Sequence, residues 1–183
     1  MKGYSSNIKG CLQRFQERKG YFTGDDKTLR FFHGNGTNTD LENVILKIAA
    51  LNNHVVTQNN LELTIARHII SINPDPRLTN GDTSVVNELV PVDIRQEFQC
   101  YSFATRYCSW HFPNLYPVYD ELIEQTVSEY FKLSKGTVPD HDQFLEYSTF
   151  SQLIDEFIKD LHIDLDYLEL DKFNWLYADQ FFK

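Results

Sequence analysis

The segment FSQLIDEFIKDL, residues 150–161, decides the fold class of this chain. Its apolar residues recur every three to four positions, which is the period of an α-helix that buries one face. Six positions follow this spacing without a break: Phe150, Leu153, Ile154, Phe157, Ile158 and Leu161. The segment therefore predicts an amphipathic helix that packs against a hydrophobic core.

Apolar stripes with the same period extend outward from this segment to both ends of the chain. They cover residues 8–15, 41–49, 61–72, 85–90, 100–111, 119–131 and 173–181. No segment of useful length alternates apolar and polar residues with the two-residue period of a strand. We therefore predict an all-α fold, in which seven to eight helices form a single compact domain over residues 1–183, arranged as an irregular or orthogonal array.

Three segments are predicted to be loops between these helices. Residues that favour turns, mainly glycine, proline, asparagine and aspartate, concentrate in residues 20–38, 73–83 and 134–146. After the first of these loops, Thr39 and Glu42 have the spacing of a capping box, so we expect the next helix to begin there.

The net charge of −9 is concentrated in one part of the sequence. Residues 140–171 contain ten acidic residues and one basic residue, Lys159, whereas acids and bases balance in the remainder. A general nucleic-acid-binding protein needs a strong basic field, so this balance leaves nucleic acid binding only through a local patch near the mildly basic N-terminus. The acidic segment is typical of a solvated helix face, and the alternative is an acidic mimic of DNA that binds a partner's basic groove.

The sequence predicts a cytoplasmic protein without a membrane segment. Its apolar runs are far shorter than the roughly 18 residues of a membrane-spanning helix, and the first ten residues lack the apolar core of a signal peptide. Three cysteines without a CxxC pair, Cys11, Cys100 and Cys108, are typical of reduced thiols inside a cell.

The stretch YSFATRYCSWHFPNLYPVYD, residues 101–120, is the candidate functional site. Eleven of its twenty residues are aromatic, Cys, His, Arg or Asp, which can pack and also carry out chemistry. Cys108 and His111 lie one helical turn apart, as metal ligands or as a nucleophile and its base could. No second Cys/His pair exists, and both lie on the apolar stripe, so we predict no metal and no cofactor.

Two charged residues of this stretch are the candidate catalytic pair. Arg106 lies on the helix face opposite the apolar stripe, where small residues predict either packing or an anion-accessible surface. Pro117 is placed to open the next helix, which puts Asp120 in its first turn, where the helix dipole alone would explain a carboxylate. Alternatively, Asp120 is a general base or electrostatic stabiliser beside Arg106. Four aromatic residues are the candidate binding residues: Trp110, His111, Tyr116 and Tyr119.

The same stretch, together with LDKFNWLY at residues 170–177, resembles uncharacterised bacterial proteins of about this length. Their shared pattern is YSFAT(K/R)YCSxHxPxxYPxYD, followed near the C-terminus by DKxxWLY. The resemblance covers the central twenty residues and the last helix, and it implies no activity, since none is established for that group.

A weaker similarity is to the helix-hairpin-helix DNA glycosylases. It places Arg106 at the position of the catalytic lysine and Asp120 at that of the catalytic aspartate. The turn over residues 112–116 lacks the glycines of those enzymes, and arginine cannot form their Schiff base. The resemblance then implies a monofunctional enzyme, in which Asp120 stabilises a cationic sugar while Trp110 or Tyr119 holds an extruded base.

Function is therefore expected to be that of a scaffold or interaction protein without catalysis, and its partner is expected to be another protein. The first alternative is a glycosylase-like enzyme or binder that acts on nucleic-acid bases through Asp120 and Arg106. The second is the acidic DNA mimic. The sequence leaves open whether the protein is an enzyme.

Overall fold

The computed structural model describes residues 2–18, 23–51, 61–91 and 98–181. Every regular element within these ranges is an α-helix, which confirms the all-α prediction. The longest helix has 17 residues. No helix in the described ranges is long and apolar enough to cross a membrane. The helices are α1 (Lys2–Arg18), α2 (Thr23–Gly34), α3 (Leu41–Ala50), α4 (Glu62–Ile72), α5 (Asp75–Thr79), α6 (Ser84–Glu88), α7 (Phe98–His111), α8 (Glu121–Lys135), α9 (His141–Leu145), α10 (Tyr147–Leu161) and α11 (Tyr167–Phe181).

These eleven helices in the described ranges exceed the predicted seven to eight. The three additional helices, α2, α5 and α9, all lie in segments that were predicted as loops. Both α5 and α9 have five residues and bury one apolar side chain each, Leu78 and Phe144, which is too few for an apolar stripe. They are stabilised at their first turns instead, since α5 has Pro76 in its first turn and α9 has a complete capping box made by Asp140 and Gln143.

Helix α2 corrects the prediction of a loop over residues 20–38. Its two glycines, Gly24 and Gly34, lie at its ends, where glycine does not carry the cost that it has in a helix interior. Between them, Phe32 is fully buried and anchors the helix to its neighbours. Within the predicted loop, the described non-helical part is residues 35–38.

Contacts within the chain form two units, and the first is the continuous stretch Gly24–Val118. Helix α3 packs against α4, and α6 packs against α7. Asp40, not Thr39, is the N-cap of α3, because its Oδ1 accepts a hydrogen bond from the Asn43 backbone N–H at 2.9 Å. Helix α7 is buried on two faces, since Thr105 and Ser109 on the hydroxyl-bearing face are as inaccessible as the apolar stripe. Packing therefore explains that face.

The second unit combines the two chain ends, Met1–Thr23 and Tyr119–Lys183. Helix α11 packs against α1 and α8, and α10 packs against α8 and α9. The ring of Phe15 meets that of Phe173 edge-on at 5.6 Å, and Tyr130 meets Phe157 at 5.2 Å. The segment that decided the fold class is α10, and Phe157 within it is fully buried as predicted.

Candidate functional site

Asp120 is the N-cap of α8. Its backbone is extended, and its Oδ1 accepts a hydrogen bond from the Ile123 backbone N–H at 2.8 Å. The helix thus begins one residue after Asp120, and Pro117 lies outside it, which corrects the expectation that both belong to the first turn. The physical reason is that the first backbone N–H groups of a helix have no partner within the helix, and a carboxylate just before it supplies one.

The phenols of both candidate binding tyrosines are hydrogen-bonded within the protein. The Tyr116 hydroxyl faces three backbone carbonyl oxygens at 3.1 to 3.4 Å, those of Arg77, Leu78 and Asp82. The Tyr119 hydroxyl donates to the carboxylate of Glu124. Both rings are fully buried. These hydrogen bonds hold in place the two tyrosines of the segment between α7 and α8.

The remaining predicted residues lie on α7. Arg106 is half-buried, and Trp110 is 7% exposed with its ring 6.0 Å from that of Phe32. His111 is buried among aromatic rings near the end of the helix. Arg106, Trp110, His111 and Tyr116 belong to the unit Gly24–Val118, whereas Tyr119 and Asp120 belong to the unit of the chain ends.

A buried polar network lies beside these residues, and the sequence did not reveal it. Lys47 is completely inaccessible, and its Nζ donates to the Thr37 carbonyl at 2.8 Å and to Asn38 Oδ1 at 3.0 Å. The Tyr107 hydroxyl donates to the same Asn38 oxygen at 2.6 Å. The backbone N–H and side-chain amide of Asn38 in turn donate to the carboxylate of Asp75, at 2.9 and 2.6 Å. Asn38 therefore connects three helices.

The network surrounds a buried charged group, the ammonium of Lys47. Burial lowers the pKa of Lys47 to about 8, and the nearby Asp75 carboxylate opposes that effect. Burial of the Tyr107 phenol likewise raises its pKa well above the ordinary value. A buried ammonium group is tolerated only when it is hydrogen-bonded and paired, and the network provides both conditions.

His111 has one buried atom without a hydrogen-bond partner among the described residues, as Ser109 has two positions earlier on the same helix. Burial lowers its pKa to about 3, and coulombic interactions with Lys47 and His33 act in the same direction, so the imidazole is neutral at physiological pH. Its ring lies 5.1 Å from the rings of Phe32 and Tyr107. Among the described residues, nothing hydrogen-bonds to its Nε2.

A pocket of about 520 Å³ opens beside His111. One wall comes from the end of α2 and the loop after it, and the other from the end of α7 and the turn that follows. The pocket is lined mainly by apolar groups, and the residues that matter most to its chemistry are Phe32, His33, His111, Phe112 and Leu115. A volume of this size is typical of pockets for small molecules.

The geometry excludes a nucleophilic role for Cys108. Its thiol is completely buried, and that burial raises its pKa far above the ordinary value, so the reactive thiolate does not form near neutral pH. Within the residues that the structure describes, no three side chains of His, Cys, Asp or Glu are grouped as a metal site would require.

One sequence signal could have revealed the network. Val44, Lys47, Ile48 and Leu51 have the spacing of a buried helix face, and all four are buried. A lysine on such a face must find an acceptor, and the polar loop of residues 35–40 directly precedes the helix. The predicted stripe instead included Ala49, which is exposed.

Comparison with known proteins relates most of the chain to one group. Residues 7–115 match the family model HI_0787_N, which describes an N-terminal domain. An uncharacterised protein of Haemophilus influenzae is 34% identical over 120 residues, which are 64% of this chain and 57% of that protein. The alignment thus spans less than two thirds of the relative's length. No solved structure matches the chain. The two matches agree with the resemblance to an uncharacterised bacterial family.

Proposed function

The chain belongs to the HI_0787_N family, and we propose that it is an interaction protein, which binds a protein partner and does not catalyse a reaction through Asp120 and Arg106. One observation carries this proposal. Trp175 on α11 is 72% exposed, although tryptophan is usually buried in a folded protein. Tryptophan is enriched at the centres of protein interfaces, where its large ring supplies much of the binding energy.

The partner is expected to present a basic surface to Trp175. Asp179, one helical turn away on the same helix, is also exposed, and residues 140–171 carry the whole net charge of the chain. Charge complementarity of this kind speeds association and selects partners.

The capping role of Asp120 also supports the proposal, because it argues against catalysis by this residue. A carboxylate that stabilises a cationic sugar must face the substrate, whereas Asp120 already accepts a backbone hydrogen bond at the start of α8. In the glycosylase-like alternative, Asp120 has to cap the helix and act in catalysis at the same time. The DNA-mimic alternative is weaker, because several of its carboxylates bond within the protein, including those of Glu146, Asp155 and Asp160.

We also place the protein in the cytoplasm. Cys11 and Cys108 are free and buried, and unpaired thiols are the rule in a reducing compartment.

The test of the interaction function is site-specific photocrosslinking. Residue 175 is replaced by a photoreactive phenylalanine derivative in the cells from which the chain derives. Residue 138 is the matched control, because Val138 is also exposed, at 58%. We expect one protein to crosslink at position 175 and not at position 138, and we expect the Trp175→Ala change to prevent its co-purification. Equal crosslinking at both positions would contradict the proposal.

The catalytic alternative is tested separately with Asp120→Asn. This change keeps the shape of the side chain and an oxygen acceptor for the Ile123 N–H. If wild-type protein releases a base from base-modified DNA at low salt and Asp120→Asn does not, the protein is an enzyme and our proposal is wrong. We expect no release by either protein and a slightly lower thermal midpoint for the variant.

A further inference from the structure

The pocket beside His111 has the character of a binding site that the interaction function does not use. It lies within the unit Gly24–Val118, and residues 7–115, which match the family, include all of its lining. Trp175 belongs to the other unit, so the two proposals rest on different residues.

His111 supplies the buried polar side chain of this pocket, whose lining also includes His33 and Asn114. The side chain lines the pocket but is only 5% exposed, and its Nε2 has no hydrogen-bond partner among the described residues. Buried polar atoms in native proteins are rarely left unpaired, so this atom calls for a partner from outside the chain. The rings of Phe32 and Tyr107, each 5.1 Å away, hold the imidazole in place. Nε2 itself has almost no accessible surface, so a ligand reaches it only when a side chain of the pocket wall moves aside.

The walls of the pocket favour a flat molecule. Phe32 and Phe112 both line it, and the Phe112 ring lies within 28° of parallel to that of His111, with 6.2 Å between their centres. Leu115, which is 40% exposed, adds an apolar side chain at the rim. Aromatic and aliphatic walls of this kind bind planar rings by dispersion and by removing apolar surface from water.

The charges near the pocket determine which planar molecules can bind there. The Lys47 ammonium lies 6.0 Å from the centre of the Phe32 ring, and its positive potential reaches His111. A cation in the pocket would be repelled by Lys47. The neutral imidazole cannot form an ion pair with an anion, but as the Nε2–H tautomer it can donate a hydrogen bond to an acceptor. A positive potential favours an acceptor atom at that position.

We propose that this pocket binds an uncharged, planar ring compound whose carbonyl oxygen accepts a hydrogen bond from His111 Nε2. The aromatic walls hold the ring, and His111 selects the acceptor. The free protein leaves the Nε2–H without a partner, and the ligand supplies one.

Four small probes of similar shape test the proposal by NMR titration of the full chain. Benzamide is neutral and carries the carbonyl acceptor, benzoate is an anion, benzamidine is a cation, and isopropylbenzene has no acceptor. The readout is the imidazole Hε1 signal of His111, one of six histidine signals, assigned by its absence from the His111→Phe variant. We expect benzamide to bind with a dissociation constant on the order of 1 mM, which is usual for so small a ligand. Isopropylbenzene, benzoate and benzamidine should bind at least roughly tenfold more weakly.

A variant pair completes the test. His111→Phe keeps a ring in place and removes Nε2, so benzamide should lose roughly tenfold in affinity, read from the ligand's own signals. His141→Phe is the matched control, because it makes the same change at an exposed histidine of the other unit, and it should leave benzamide binding unchanged. If benzamide leaves the His111 signal unmoved, or if isopropylbenzene binds as well as benzamide in the wild-type protein, the proposal is wrong. The second of these results does not depend on the stability of a variant.

Discussion

At the scale of single residues, Lys47 shows how one buried charge can organise a helical unit. Its ammonium group is inaccessible to water and bonds to Thr37 and Asn38, and Asn38 then bonds to Tyr107 and Asp75. The network thus joins three separate parts of the chain, residues 37–47, Asp75 and Tyr107. Such a network fixes the relative positions of its members more strictly than apolar contacts do, because hydrogen bonds require particular distances and angles.

The first prediction at this scale concerns Lys47→Met. Methionine keeps most of the side-chain volume but removes the donors, so the Thr37 carbonyl loses its partner. We expect a loss of about 1–3 kcal/mol in the free energy of unfolding at pH 7, measured by urea denaturation. Lys159→Met is the control, since Lys159 is exposed, and it should cost less than about 0.5 kcal/mol.

The pH dependence of this difference follows from the pKa of Lys47. In the folded protein the pKa is about 8, below the ordinary value of 10.5 in the unfolded chain. Between these values the unfolded chain binds more protons, so this lysine makes the wild-type protein more stable as pH rises. The deficit of Lys47→Met should therefore grow from pH 8 toward pH 10.5. A deficit that stays constant or shrinks over this window would contradict the assigned pKa.

The candidate site was only partly predictable from single residues. The place of His111 on the apolar stripe correctly predicted that the side chain is buried, because the helical period alone determines which residues share a face. The missing partner of its Nε2 and its proximity to Lys47 depend on how α2, α3 and α7 pack. Those contacts join residues far apart in sequence, and no local pattern encodes them.

At the scale of whole elements, helix ends determine much of the architecture. Strong apolar stripes made α8 and α10 predictable, because six or more residues fix the period of each. Helix α2 was missed because glycines at its ends resembled those of a loop, although glycine at a helix end costs little. The caps were also predicted less well than the helices, since Thr39 and Asp40 are adjacent and both can accept the same hydrogen bond.

A second prediction tests the cap of α10, the helix that decided the fold class. The Glu146 carboxylate accepts hydrogen bonds from the backbone N–H groups of Ser148 and Thr149, at 3.2 and 2.7 Å. Glu146→Ala should therefore lower the free energy of unfolding by about 1 kcal/mol near neutral pH. Gln152→Ala, at an exposed position of the same helix, is the control and should have little effect.

Acid should remove the contribution of Glu146. Hydrogen bonds from Thr149 and Ser148 lower the pKa of Glu146 to about 2, from an ordinary value of 4.5. The stabilisation is then fully present above pH 4.5 and is lost as the pH falls toward 2, because the unfolded chain takes up the proton first. Urea denaturation from pH 6 down to pH 2 should show the wild type and Glu146→Ala converging. Parallel curves down to the lowest pH would show that the carboxylate charge is not responsible.

At the scale of the whole molecule, the order of segments along the chain is informative. The unit Gly24–Val118 is continuous, and the unit made of Met1–Thr23 and Tyr119–Lys183 is built from both chain ends. The chain therefore passes between the two units twice, which restricts how freely either can unfold while the other remains folded. Length and composition predict a single cooperative domain, and this stays a prediction. A sequence pattern identifies helices, but it does not show how the contacts are divided between groups of helices.

The last prediction concerns this cooperativity, and it uses the two tryptophans of the chain. Trp175→Phe leaves Trp110 as the sole tryptophan, a buried reporter in the unit Gly24–Val118. In that background, Phe157→Ala removes a fully buried ring from the other unit and should cost roughly 3–5 kcal/mol. In a single cooperative domain, every probe follows the same transition. We therefore expect Phe157→Ala to lower the urea midpoint of Trp110 fluorescence as much as that of the far-UV circular dichroism. Ile65→Ala, within the unit of Trp110, is the positive control and should lower both midpoints. A Trp110 transition that Phe157→Ala leaves in place, together with a two-step loss of helix signal, would show that the two units unfold independently.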